Sequence, residues 1–151
     1  MWIRWISDRF VSLMNRVAPL WGRPRVRTVT TVELARWLNH EPESVVLVDV
    51  RSDKEVLVSQ IPGAITRREF NECRHDCRDK LVIAYCTVGG RSLLFAQECA
   101  KMGLDVRNYQ GSILAWCDAG GTLVAPDGAP THRVHTLSRM FHVPDGYQQV
   151  Y

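Results

Sequence analysis

The chain has 151 residues, 46% apolar and 23% charged, which supplies one domain core and excludes a disordered polymer. The net charge of +3 is unevenly placed: residues 1–27 hold six arginines against Asp8 alone, and the remainder holds 13 basic and 15 acidic residues. The body is therefore mildly acidic, and no nucleic-acid partner is expected of it. Five cysteines, at 73, 77, 86, 99 and 117, form an odd, irregular set. With no secretory signal in view, they argue against a disulfide framework and for a reducing, cytoplasmic setting.

In residues 1–21, Trp2, Ile3, Ile6, Phe10, Leu13, Met14 and Val17 recur at three- and four-residue steps, which predicts an amphipathic helix. Arg4, Ser7, Asp8, Asn15 and Arg16 fall mostly on its other side. Charges interrupt the segment too often for a membrane span, and it has no apolar core of the signal-peptide type. Three destinations fit it: the surface of this domain or another subunit, peripheral contact with a membrane, or organelle targeting, which an Arg-rich, acid-poor segment allows. Pro19, Gly22 and Pro24 break the pattern, so residues 1–25 are read as leader and linker.

A short strand is expected at 26–29. Thr30 with Glu33 three residues on predicts a capped helix, whose apolar face is Leu34, Trp37 and Leu38 and which ends near Asn39. Val45-Val46-Leu47-Val48 reads as a central parallel strand. It ends in Asp49-Val50-Arg51, where Asp49 is expected to accept hydrogen bonds from nearby backbone and hold the surroundings in place, or else simply to cap the strand. Residues 67–78 are polar and helical in part. Cys73 and Cys77 invite a zinc reading, with His132 and His135 completing four ligands. The same cysteines fall at helical steps from Phe70, and the reading adopted is an apolar helix face with no metal and no cofactor.

The chemistry concentrates in Cys86-Thr87-Val88-Gly89-Gly90-Arg91, with Ser92 after it. Leu81 to Tyr85 reads as a buried strand and residues 92–102 as a helix, so Cys86 sits where a strand gives way to a helix. Gly89 and Gly90 let the backbone fold into an arc with its N–H groups inward, and the helix start adds further N–H groups and a positive dipole end. Arg91 adds a fixed positive charge. A thiol in that cradle loses its proton easily and becomes an exposed nucleophile beside a small anion site. The helix is expected to turn Leu94, Phe95, Cys99 and Met102 to the core and to end at Gly103. A last strand at 104–109 precedes Gly111 and a short helix carrying Trp116, followed by Gly120-Gly121. Cys117 reads as a surface helix residue.

Three stretches resemble signatures of the rhodanese family: Asp49-x-Arg51 with Glu55 and Ile61-Pro62-Gly63-Ala64; the loop from Cys86 to Arg91, with four residues between them; and Gly111 to Gly121 with Trp116. Ser59-Gln60 stands where the family usually has Gly-His. Cysteine phosphatases place five residues between Cys and Arg and usually have His before the Cys, where this chain has Tyr85. The resemblance covers about residues 44–121. It implies a rhodanese-like three-layer α/β domain over 26–124, with a central parallel sheet of about five strands and helices on both faces. Cys86 then stands at the carboxyl end of a central strand.

The resemblance further implies a sulfurtransferase. Cys86 would take sulfane sulfur from thiosulfate or a persulfide donor and pass it to a thiol, cyanide or a carrier protein. Thr87, Val88, Gly89, Gly90 and Ser92 would form the loop, Arg91 would orient an anionic donor and hold the loop closed, and Asp49 and Arg51 would support it. Thr87 is neutral where family members often place a charge, which points to a persulfide rather than thiosulfate as donor. Cys117, if exposed near the loop, could resolve a persulfide. The alternative is a non-catalytic binding or redox-sensing module located by its leader. Residues 125–151 lie outside the pattern. Met140, Phe141, Val143, Tyr147, Val150 and Tyr151 are too apolar for a free tail, which is expected to pack, for instance on the leader helix, with His132, His135 and His142 as surface or packing residues.

Overall fold

The computed structural model describes residues 2–151; the side chain of Trp2, assigned above to the apolar face of the leader, lies outside what is described. Helix α1 (Trp2–Val17) runs through a 3-10 turn at Ala18–Trp21 to β1 (Thr28–Val29), α2 (Thr31–His40), β2 (Val45–Asp49), α3 (Asp53–Val56) and β3 (Ile65–Thr66). Then follow α4 (Arg67–Cys73), β4 (Leu81–Tyr85), α5 (Gly90–Lys101), β5 (Val106–Tyr109) and α6 (Ser112–Asp118). Two small pairs close the chain: β6 (Leu123–Val124) against β7 (Pro130–Thr131), and β8 (Arg133–His135) against β9 (Gln148–Val150).

The central sheet has five strands in the order β1-β5-β4-β2-β3, all parallel. The apolar runs of β2 and β4 are buried on both faces, as a sheet covered by helices on each side requires. Successive side chains alternate between the two layers. Leu47, Ile83, Tyr85 and Tyr109 join Leu34 of α2 and Ile113 and Trp116 of α6, while Val48, Val82, Ala84 and Val106 join Phe70 of α4 and Phe95, Ala96 and Cys99 of α5. The register sets Asp49 level with Tyr85, so both strands finish together and Cys86 leaves from the carboxyl edge of the sheet.

Capping boxes start three helices: Thr30 with Glu33, Ser52 with Glu55, and Thr66 with Glu69. Helix α5 turns Phe95 and Cys99 to the core as expected, but not Leu94 and Met102. It begins at Gly90, because Gly89 in the left-handed region ends the loop there, and it turns Ser92, Phe95 and Cys99 inward. Leu94 is consequently 42% exposed and Met102 57% exposed, whereas Leu93 is buried. The tail packs in part: Met140 and Tyr151 stay 61% and 57% exposed, and its contacts are with the cluster of α6 and the sheet. Val134 is fully buried, Val143 and Tyr147 join the cluster around Trp116 and Leu123, and the Tyr147 hydroxyl donates to the Gly121 carbonyl at 2.6 Å. No helix among the described residues is long and apolar enough to cross a membrane.

Candidate active site

The carboxyl edge of the sheet is fixed first by Asp49. Its Oδ1 accepts the Arg51 backbone N–H at 3.0 Å and the Arg51 Nε at 2.9 Å, and its Oδ2 accepts the Arg51 Nη2 and the Tyr85 hydroxyl, both at 2.7 Å. All three side chains are buried. Arg51 Nη2 also reaches the Ser59 carbonyl at 2.6 Å, and the Tyr85 oxygen accepts the Ile61 N–H at 3.1 Å. Burial, with the Asp49 charge beside it, holds the Tyr85 phenol protonated well above its ordinary range, so it remains a donor. Asp49 thus ties the ends of β2 and β4 to the loop at 59–61, directly beneath Cys86.

Cys86 follows Tyr85 and is 1% exposed, so it is not the exposed nucleophile expected from the sequence: the loop and the start of α5 close around its sulfur. Its sulfur receives the Gly89 N–H at 3.1 Å, with Ser92 Oγ at 3.6 Å and Ser112 Oγ at 3.9 Å. Its own N–H donates to Ser112 Oγ at 3.0 Å, and that hydroxyl donates to the Tyr109 carbonyl at 2.9 Å. Asn108 pins the loop from β5: its Nδ2 donates to the Gly89 carbonyl at 3.2 Å, and its Oδ1 lies 2.7 Å from Ser92 Oγ. Burial pushes the Cys86 thiol up, but the N–H and hydroxyl of Ser92, the Arg91 charge and the Val88 N–H outweigh it, and the thiol ends below its ordinary value. Burial dominates at three other thiols: it raises Cys77, and takes Cys99 to about 11 and Cys117 to about 12.

Gly89 is required twice over. Its φ is +91°, and a Cβ there would fall 2.0 Å from the Gln110 carbonyl oxygen. Gly90 opens α5 with nothing within 4 Å of an added Cβ. Val88, Gly90 and Arg91 are half-buried and form the rim above the sulfur.

Arg91 is held by Glu55. Its Nη1 and Nη2 donate to the two carboxylate oxygens at 2.8 and 2.7 Å, and Nη2 also reaches Thr87 Oγ1 at 2.9 Å. Thr87, 1% exposed, turns its hydroxyl to Glu55 at 2.9 Å and away from solvent. Glu55 also accepts the Ser52 N–H and hydroxyl. Burial alone would raise its carboxyl, but Arg91 and Ser52 bring it down to about 2. The Arg91 charge is therefore met by a carboxylate within the loop assembly.

Every residue assigned to the site from sequence lies in this one region. Three partners were given no role in the site: Glu55, noted only as part of the first resembling stretch, and Asn108 and Ser112. The Ser52-x-x-Glu55 spacing is a visible capping signal, but a pairing with Arg91 36 positions on is not local. Ser112 adopts φ +53°, which no residue type in that stretch announces.

Cys117 is not a surface residue. It is 1% exposed inside the cluster of α6 and the sheet, because α6 turns that position inward with Ile113 and Trp116. Cys73 and Cys77 sit with sulfurs 3.7 Å apart on the apolar side of α4 and its following turn. His132 packs edge-on against Tyr147, and His135 Nδ1 accepts the Leu137 N–H. Among the described residues, no three His, Cys, Asp or Glu side chains stand together as a metal site. A cavity of about 460 Å³ lined by Arg74, Arg78, Lys80, Asp79 and Asp105 lies at the opposite end of the sheet, before β4 and β5, and takes no part in the loop chemistry.

A family model described as a rhodanese-like domain matches residues 30–119. The chain is 38% identical over 109 residues to a tRNA sulfurtransferase of Desulfurococcus amylolyticus, which covers 68% of this chain and 22% of that protein. It is 32% identical over 95 residues to a sulfurtransferase of Allochromatium vinosum, which covers 58% of this chain and 86% of that one. It thus spans less than a quarter of the first relative and most of the second. A solved structure from Rhodopseudomonas palustris, described as a protein of unknown function and possible tyrosine phosphatase, is 29% identical with a TM-score of 0.59, over 74% of this chain and 91% of that one.

Proposed function

Because the chain belongs to the rhodanese-like domain family, we propose that it is a sulfurtransferase that carries sulfane sulfur on Cys86. The observation that carries this reading is the Cys86 sulfur in a ring of donors, with the Gly89 N–H at 3.1 Å and a thiol brought below its ordinary value. The relatives named as sulfurtransferases support the same reaction class.

In the first half-reaction, the Cys86 thiolate attacks the outer sulfur of the donor. A new S–S bond forms on Cys86 as the donor's S–S bond breaks, and the donor leaves as a thiolate from a persulfide or as sulfite from thiosulfate. The persulfide's negative charge then falls on the outer sulfur, toward the N–H groups of the loop and the start of α5. In the second half-reaction, an acceptor thiolate, or cyanide, attacks that outer sulfur and releases the Cys86 thiolate. Electrons balance across the two steps, and no cofactor is required.

Arg91 acts in this proposal as the clamp that keeps the loop closed through Glu55. With its charge already met by a carboxylate and Thr87 turned inward, the rim offers little to attract a doubly charged thiosulfate. The favoured donor is therefore a persulfide, on a small thiol or a protein. Steady-state rates with thiosulfate and with glutathione persulfide test this; a clear preference for thiosulfate overturns the donor assignment.

The neighbour described as a possible tyrosine phosphatase raises a second reaction for the same loop. Two features weigh against it: four residues rather than five separate Cys86 from Arg91, and both terminal nitrogens of Arg91 are engaged by the Glu55 carboxylate. Hydrolysis of an aryl phosphate that is lost in Cys86→Ser would favour the phosphatase.

A further inference from the structure

Helix α1 is mounted with its polar side inward. Gln110 Nε2 donates to the Asp8 carbonyl at 3.0 Å and to Ser12 Oγ at 2.8 Å. Asn15 exchanges two hydrogen bonds with the Val26 backbone, at 2.8 and 3.0 Å, and Arg4 pairs with Asp118. Val11 and Ala18 are the apolar residues buried on that side. The opposite side is turned to solvent: Ile6 is 54% exposed, Phe10 59% and Leu13 54%, and beyond the helix Leu20 is 81% and Trp21 60% exposed. A surface helix of a globular domain ordinarily does the reverse. Its hydrogen bonds to the domain hold this apolar face outward.

Charge decides what covers the face. Residues 1–27 hold six arginines and one acid, Asp8, and Asp118 from the domain meets only Arg4 of the six. Arg9, Arg16, Arg25 and Arg27 are exposed, and Arg9 stacks over the Trp5 ring at 4.8 Å. A second copy of the chain docked on this face would bring one arginine cluster against another. An anionic surface is complementary to it, and an apolar helix face flanked by arginine and tryptophan suits the boundary between headgroups and acyl chains.

We infer that α1 is an in-plane membrane anchor: it lies on an anionic bilayer with Ile6, Phe10, Leu13, Leu20 and Trp21 in the interfacial layer and its arginines among the headgroups. This is independent of the sulfur chemistry, but it bears on where that chemistry occurs. Gln110, which holds α1, also presents the carbonyl against which Gly89 packs, so the anchor and the Cys86 loop share a support.

The test is co-sedimentation of the full chain with vesicles of phosphatidylcholine alone and with one quarter phosphatidylglycerol. The wild type should bind the anionic vesicles and release as salt is raised. Phe10→Asp combined with Leu13→Asp should weaken that binding by at least about tenfold. Both positions are solvent-exposed, so the variant should keep the wild-type melting temperature and its sulfur transfer to a soluble thiol. Quenching of wild-type tryptophan fluorescence by bromine-labelled lipid gives a readout that needs no variant. The inference is overturned if the wild type ignores anionic vesicles at low salt, or if the variant binds as well as wild type. It is also overturned if light scattering shows a stable dimer that the variant dissociates, which would make the face a contact between copies.

Discussion

The guanidinium of Arg91 and the carboxylate of Glu55 meet as a two-point pair, at 2.8 and 2.7 Å, with the carboxylate fully buried and the arginine side chain 38% exposed. The pair joins α3 to the first turn of α5 and so closes the loop that holds Cys86. Replacing Glu55 by Gln keeps the shape and removes the charge. After allowance for the exposure of Arg91, the loss should be about 1–2 kcal/mol in chemical denaturation, and sulfur transfer should fall about tenfold to a hundredfold through misplacement of the loop.

The same pair sets an acid limb. The Glu55 carboxyl is lowered from an ordinary 4.5 to about 2 in the folded chain. A depressed carboxyl stabilises the fold above its unfolded value, and that contribution disappears as pH falls from 4.5 toward about 2. Stability measured against pH should therefore drop across this window in the wild type and drop less in Glu55→Gln.

At Cys86 the thiol is lowered, so its thiolate fraction is complete at a lower pH than for a free cysteine. The pH dependence of persulfide formation should have its midpoint below that of a free cysteine thiol. Ser92→Ala removes one of the donors and should move that midpoint upward; an unchanged midpoint would show that the hydroxyl does not act on the sulfur.

Gly89 and Gly90 make a matched contrast. Gly89→Ala places a methyl into the Gln110 carbonyl in a left-handed backbone, so the loop must reshape, and sulfur transfer should be lost while far-UV circular dichroism persists. Gly90→Ala meets open space in the first turn of α5, so stability should be unchanged or raised by up to about 1 kcal/mol.

Ser112 holds the Cys86 N–H while adopting φ +53°. Ser112→Ala leaves that buried N–H without its partner and should cost about 1–3 kcal/mol. The same change should slow sulfur transfer, because the backbone that aims the sulfur loses its prop.

The layered fold was legible because β2 and β4 are continuous apolar runs and the helices between them carry caps and periodic faces. The Cys86 loop was legible because its signal is local: a strand, two glycines and an arginine in sequence. What escaped was contact across the fold. The pairing of Glu55 with Arg91 and the prop from Ser112 depend on how α3 and α6 meet the sheet edge. The phase of α5 turned on where Gly89 ended the loop, and that moved Leu94 out of the core. Cys117 was misplaced because α6 is too short for its periodicity to mark a face. The leader's apolar face was plain in the sequence, but its outward orientation depends on Gln110 and Asn15, which the pattern of hydrophobic residues does not register.

The most direct measurement is the intact mass of wild type and Cys86→Ser after exposure to a small-molecule persulfide. The account predicts that the wild type gains one sulfur atom, that reductant removes it, and that Cys86→Ser gains none. No adduct on the wild type, or an equal adduct on the variant, would contradict the claim that Cys86 carries the sulfur.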